Sequence, residues 1–425
     1  MQQKITLEQN QTYKSVKKFI KSDTLQRVNV ELDYRGIRIG SSEIYNLGQE
    51  FQKSQNLKKM RFILNNNFLE SQQGHFLGNS LAKCLNLTNL EIDLSQNKLG
   101  ENGAKGLALG IAKMLFLQSL TLNLKENNLG AKGITNLVEE IGNCQNLVTF
   151  NLNLDLNEIG NGESTGFGQG LAKLNSLSSL SVDFSENGIK KLGLIQISSG
   201  LKSCSKLTNV FMNFQRNYIN DFQPTNDFLI SLSNNQNLTY LTLSFNFSTL
   251  DCSAALGLGE GLVKLKQLTR LVLNLNYNQI NNYGVQQLGI GIRNCQNLQK
   301  VVLILSQNKF CSEGISDLGT ELSHSKSLID CQLKINLNNI GQVGALGILN
   351  GISKIQNLKH LNLDISSCNI VSNPGYGLGS QLLSLQNLFE LNLNLKKNDF
   401  MMSEKLNYLR KTKKLLRLVH LKFII

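Results

Sequence analysis

Residues 87–115 read LTNLEIDLSQNKLGENGAKGLALGIAKML, and this stretch decides the fold. Leu90, Ile92 and Leu94 alternate with Glu91, Asp93 and Ser95. A period of two makes a strand with one buried and one solvated face. Asn97, Leu99 and Gly100 follow, and then the period changes. Leu107, Ile111 and Met114 fall at i, i+4 and i+7, along one face of a helix. One strand and one helix are too small to bury a core alone, so the unit requires neighbours of its own kind.

Those neighbours are present. A leucine opens a unit at Leu57, Leu87, Leu117, Leu147, Leu177, Leu207, Leu238, Leu268, Leu298, Leu328, Leu358 and Leu388, with a spacing of 30 apart from one of 31. Leu25 reads as the opening of an earlier unit and Leu416 as that of an incomplete last one. The predicted organisation is an amphipathic N-terminal cap over 1–24, with Tyr13, Val16 and Ile20 on its inner face. Thirteen repeats over 25–415 follow, then a partial strand over 416–425.

The asparagine recurs too, from Asn67 through Asn127, Asn157, Asn187, Asn217, Asn278, Asn308 and Asn338 to Asn398, with Ser248 and Cys368 where it fails. A side-chain amide at the strand exit can satisfy backbone groups of its own turn and of the next coil, which predicts a ladder. Glycines recur inside the helices at Gly110, Gly170, Gly200, Gly261, Gly291 and Gly351. Each costs roughly 0.5–1 kcal/mol relative to Ala, so their repetition predicts close backbone approach between stacked helices.

The pattern L-x-x-L-x-L-x-L-x-x-N-x-L/I-G followed by a helix resembles the ribonuclease-inhibitor class of leucine-rich repeats over about residues 25–423. The period of 30 exceeds the usual value of about 28 or 29, and the extra dipeptide falls in the strand. The Asn/Gln-rich, 30-residue form is similar to an expanded family of ciliated protozoa, some of whose members are labelled protein kinases. The resemblance implies an α/β leucine-rich-repeat solenoid of horseshoe form, with parallel strands on the concave face and helices on the convex one.

Charge narrows the partners. The net charge is +13, yet residues 1–22 hold five Lys against one Glu and residues 401–425 seven Lys and Arg against one Glu. The basic excess is therefore terminal, not a stripe with interleaved aromatics of the kind that holds nucleic acid. The N-terminus has no apolar signal core, and no window is apolar enough to span a membrane. Eight Cys without a signal suit a reducing, intracellular and most simply cytoplasmic setting.

Chemistry is not legible. Kinase V-A-I-K, H-R-D and D-F-G motifs are lacking. Gly166-Phe-Gly-Gln-Gly and Gly257-Leu-Gly-Glu-Gly lie in helical halves of repeats and read as packing sites, not phosphate loops. His75, His324, His360 and His420 occupy unrelated positions. Cys84, Cys144, Cys204 and Cys295 share one position that accepts Leu elsewhere, which marks a small core site. No catalytic, cofactor or metal-binding residue is assigned.

The solvent-facing strand positions are the expected binding surface. They read acidic in the first half (Glu31, Asp33, Glu91, Asp93, Glu126, Asp155, Asp183, Glu186) and basic at the end (Lys334, Lys396, Lys397). Between them stand Phe211, Phe247, Val272, Tyr277, Val302 and Ile304, which predict an apolar protein-binding patch. The expected function is a non-enzymatic protein-interaction scaffold. Two alternatives are a Ran-type GTPase activator, whose acidic C-terminal tail contrasts with the basic residues here, and a regulatory array that serves a protein kinase. The sequence stops within a strand, VHLKFII, without a polar cap, so self-association through that end is a further expectation.

Overall fold

The computed structural model describes residues 11–24, 27–160, 165–371, 378–415 and 417–424. The chain divides into two compact units, Met1–Met212 and Asn213–Ile425.

In the first unit the strands are β1 (Gln11–Tyr13), β2 (Asn29–Asp33), β3 (Lys59–Ile63), β4 (Asn89–Asp93), β5 (Ser119–Asn123), β6 (Thr149–Asn153) and β7 (Ser179–Asp183), and β8 (Asn209–Asn213) runs into the boundary. They alternate with α1 (Val16–Ile20), α2 (Ser41–Lys53), α3 (Ser71–Leu81), α4 (Gly100–Ile111), α5 (Gly130–Ile141), α6 (Thr165–Ala172) and α7 (Lys191–Ser199). The second unit holds β9 (Tyr240–Ser244), β10 (Arg270–Asn274), β11 (Lys300–Ile304), β12 (Asp330–Lys334), β13 (His360–Asp364), β14 (Glu390–Asn394) and β15 (His420–Ile424). Its helices are α8 (Phe222–Ser233), α9 (Cys252–Leu262), α10 (Asn282–Asn294), α11 (Ser312–Ser323), α12 (Gly341–Ser353), α13 (Leu378–Leu383) and α14 (Met402–Thr412).

Within each unit consecutive strands pair in parallel, each helix carrying the chain back to the start of the next strand, as parallel pairing requires. The register equals the repeat: Asn89 faces Ser119 and Ser119 faces Thr149, as Arg270 faces Lys300. Leu90, Ile92, Leu94, Leu107, Ile111 and Met114 are at most 2% exposed, so the alternation and the helical face point into one core.

The asparagine ladder forms. The Asn97 amide donates to the Leu64 and Leu94 carbonyls at 3.1 and 2.8 Å, and its Oδ1 accepts the Asn67 and Leu69 amides at 3.0 Å each. Each rung thus ties its own coil to the preceding one and leaves buried backbone groups satisfied. The substitutes keep the contact to the preceding coil: Ser248 Oγ donates to the Phe214 carbonyl at 2.7 Å, and Cys368 Sγ to that of Ile335 at 3.4 Å.

Helices stack with the expected closeness. A Cβ added at Gly110 would stand 1.9 Å from the Gly78 carbonyl oxygen, and one at Gly351 would stand 2.0 Å from that of Gly319. Gly168 and Gly259 fit the same way, facing Gln196 and Gln287 carbonyls at 2.6 and 2.4 Å, so both glycine-rich strings are packing devices.

The N-terminal region departs from expectation. The first element among the described residues is β1, which pairs in parallel with β2. Val16 is buried, but Tyr13 and Ile20 are only half-buried, and Phe19 fills the centre at 0% exposure. Leu25 lies outside the described residues. The register of β2 on β3 places Arg27 in the slot that Leu57 fills one coil later. Arg27 is wholly buried, 3.0 Å from Glu50, and donates to the Phe19 carbonyl at 2.6 Å and the Ser22 carbonyl at 2.9 Å. A buried cation there needs those partners, and it fastens the cap to the first repeat. At the other end β15 pairs with β14 so that Leu418 corresponds to Leu388; Leu416 is outside the described residues.

Candidate functional site

Three solvent-facing rows cross the strands in register. The row at the last strand position is mostly structural. Asp93 Oδ1 accepts the Ser95 amide at 3.0 Å, Asp183 that of Ser185 at 2.9 Å, Asn153 that of Asp155 at 3.0 Å and Asp364 that of Ser366 at 3.0 Å. These Asx turns explain much of the Asn and Asp that stud the face. Ile304 breaks the pattern: it cannot cap, and the Ser306 amide donates instead to Asn276 Oδ1 of the preceding coil at 2.8 Å.

The acidic run of the first unit is partly paired with three cations, Arg35, Arg61 and Lys125. Arg61 stands between Glu31 and Glu91 at 3.0 and 2.8 Å, one coil from each. Lys125 lies 2.8 Å from Asp155, and Arg35 lies 2.8 Å from Asp33. Hydrogen bonds donated to Glu91 and Glu31 raise the pKa of Arg61, and one donated by Arg35 lowers that of Asp33. A groove of about 360 Å³ runs over these strands, lined by Arg61, Glu91, Thr121, Asn151, Ser181 and Phe211 among others. Phe211 is 40% exposed and belongs to this unit.

In the second unit the middle row is Thr242, Val272, Val302 and Gln332, with Val272 directly facing Val302 and Asn274 facing Ile304. Val272, Val302 and Ile304 are each half-exposed on the open side of β10 and β11. Phe247 and Tyr277 sit in the turns after β9 and β10, not on the strands. Their rings stack with centroids 4.0 Å apart and planes 17° from parallel, and the Arg216 guanidinium covers Phe247 at 5.6 Å. Both aromatics hold φ near +53°, a left-handed conformation that favours glycine, yet they are 40% and 41% exposed. Side chains kept there are not explained by burial. Lys334, Lys396 and Lys397 are exposed, as expected.

Nucleophiles are not offered by the core cysteines. Cys144 donates to the Ile111 carbonyl at 3.5 Å, and burial pushes its thiol up to about 12 and that of Cys204 up to about 11. His360 Nδ1 lies 3.2 Å from Glu390, its partner in register. Among the described residues no cluster of three metal-ligating side chains occurs. No helix among them is long and apolar enough to cross a membrane.

No protein-family model matches the sequence, and no curated protein does. Solved structures do match: an internalin of Listeria monocytogenes is 17% identical, covering 90% of this chain and 88% of its own, with a TM-score of 0.52. That likeness concerns the fold, an α/β leucine-rich-repeat solenoid.

Proposed function

We propose that this chain is a non-enzymatic protein-interaction scaffold whose second unit takes a protein partner on the open face of β10 and β11. The observation that carries the reading is the facing pair Val272 and Val302 with Ile304 beside them. Neighbouring coils place polar residues in the same rows, and nothing in the turn chemistry requires an isoleucine at 304. Contiguous apolar side chains held at solvent mark interaction sites, and aromatic residues anchor them. Phe247 and Tyr277 supply two such anchors, rigid because they are stacked. Phe211 is the corresponding apolar departure in the first unit.

The leucine-rich-repeat fold supports an interaction role in general; the ribonuclease-inhibitor class, the ciliate affinity, thirteen repeats between 25 and 415 and an intracellular setting are parts of this proposal. Affinity purification from the source cell with Val272→Asp and Val302→Asp tests it.

A further inference from the structure

A second surface lies in the first unit, where helices hand the chain to the next strand. Two positions there are polar coil after coil, and in several coils they make hydrogen bonds. Gln55 and Gln145 cap the end of their own helices, donating to the Gln52 and Gly142 carbonyls at 2.7 and 2.9 Å. The next residue bridges coils: Asn86 donates to the Gln55 carbonyl at 2.9 Å, Asn146 to that of Leu115 at 2.7 Å and Asn357 to that of Lys326 at 2.8 Å. Three residues abandon this scheme. Leu85 and Leu115 replace the capping residue, and Phe116 replaces the bridging one. Among the described residues every other coil is polar at both positions.

The three are 56%, 66% and 58% exposed, so no burial repays the lost bonds. They stand one coil apart, because Asn89 of β4 faces Ser119 of β5. Around them the windows 52–59, 82–89, 112–119 and 142–149 contain Lys53, Lys58, Lys59, Lys83 and Lys113 and no Asp or Glu. Among the ion pairs of the described residues, Lys53 alone of these is paired to a carboxylate, Glu50 just outside the windows. Lys83 also lies 5.8 Å over the ring of Tyr45, itself 58% exposed.

We infer that this rim is a peripheral docking surface for an anionic lipid bilayer. Three apolar side chains at turn tips cover far less than the roughly 1,200 Å² that a stable protein interface buries. They suffice for a bilayer, where a few apolar groups enter the acyl boundary and each lysine near an anionic surface strengthens binding roughly fivefold. The absence of carboxylates from the four windows fits that charge.

The test restores the repeat's own residues. Leu85→Gln, Leu115→Gln and Phe116→Asn together re-create the capping and bridging bonds, so the variant is expected to melt at or above the wild-type temperature. Flotation of the full chain uses vesicles of phosphatidylcholine with about 30% phosphatidylserine, and phosphatidylcholine alone as the second arm. The wild type is expected to float with the anionic vesicles only, the triple variant at least tenfold less, and Lys83→Gln with Lys113→Gln to lose the preference for phosphatidylserine. Equal flotation of wild type and triple variant overturns the inference. So does a wild type that ignores anionic vesicles, even if the triple variant then loses a protein partner in pull-down.

Discussion

The ring of Tyr277 lies stacked on that of Phe247, centroids 4.0 Å apart, in two consecutive turns that both adopt a left-handed backbone. Stacking contributes about 0.5–1.5 kcal/mol, and left-handed backbone costs a non-glycine residue about 1–2 kcal/mol. Phe247→Gly therefore exchanges one for the other. Urea unfolding is expected to change by less than about 1 kcal/mol, while recovery of the partner falls. A stability loss above about 3 kcal/mol makes the ring a structural element instead.

Asn157 is wholly buried and donates to the Leu124 and Leu154 carbonyls at 2.9 and 3.0 Å while accepting the Asn127 and Leu129 amides at 3.2 and 3.3 Å. Asn157→Ala leaves the buried Asn127 and Leu129 amides of the preceding coil without an acceptor, while the Leu124 and Leu154 carbonyls keep donors in Asn127 and Asn187. Each buried orphan costs about 1–3 kcal/mol, so a loss of about 3–5 kcal/mol is expected by chemical denaturation. A loss below about 1 kcal/mol contradicts the ladder's role.

Gly110→Ala sets helix propensity against packing. Alanine gains about 1 kcal/mol as a helix former. The new Cβ meets the Gly78 carbonyl oxygen at 1.9 Å, which forces the helices apart at a cost of about 2–3 kcal/mol or more. Net destabilisation is expected in thermal melts, and an unchanged or raised melting temperature contradicts the close helix packing.

Glu50 carries the acid dependence of the N-terminal cap. Burial raises its pKa, and hydrogen bonds from Lys53 and Arg27 outweigh that, leaving it below the ordinary 4.5. Its stabilisation is therefore complete above that ordinary value and fades as pH falls through the lowered one. The gap in melting temperature between wild type and Glu50→Gln is expected to be constant near neutrality and to close in acid. A gap that persists to pH about 2 contradicts the ion pair's role.

Much of this was legible in the residues. Period two against period 3.6, the repeating Asn and the repeating Gly each report a local requirement, and the structure meets all three. Arg27 was not legible, since a charged residue in a leucine slot is recognised only when its carboxylate, Glu50 from the following helix, is seen beside it. Nor was β1, where three residues are too few to show alternation. The pairing of the acids was readable in principle: a period of 30 places Arg61 between Glu31 and Glu91. Leu85, Leu115 and Phe116 also left a signal, because aligned repeats are polar at those positions. Attention to the strand face alone passes over it.

The surface on β10 and β11 is the centre of this account. Val272 and Val302 face each other with half-exposed side chains, so aspartate at both is accommodated in solvent while it removes the apolar patch. Quantitative affinity purification of wild type and of Val272→Asp with Val302→Asp is the direct measurement, with circular dichroism confirming equal folding. Recovery of the principal protein partner of the wild type is expected to fall at least tenfold with the double variant. Undiminished recovery by a folded double variant contradicts it.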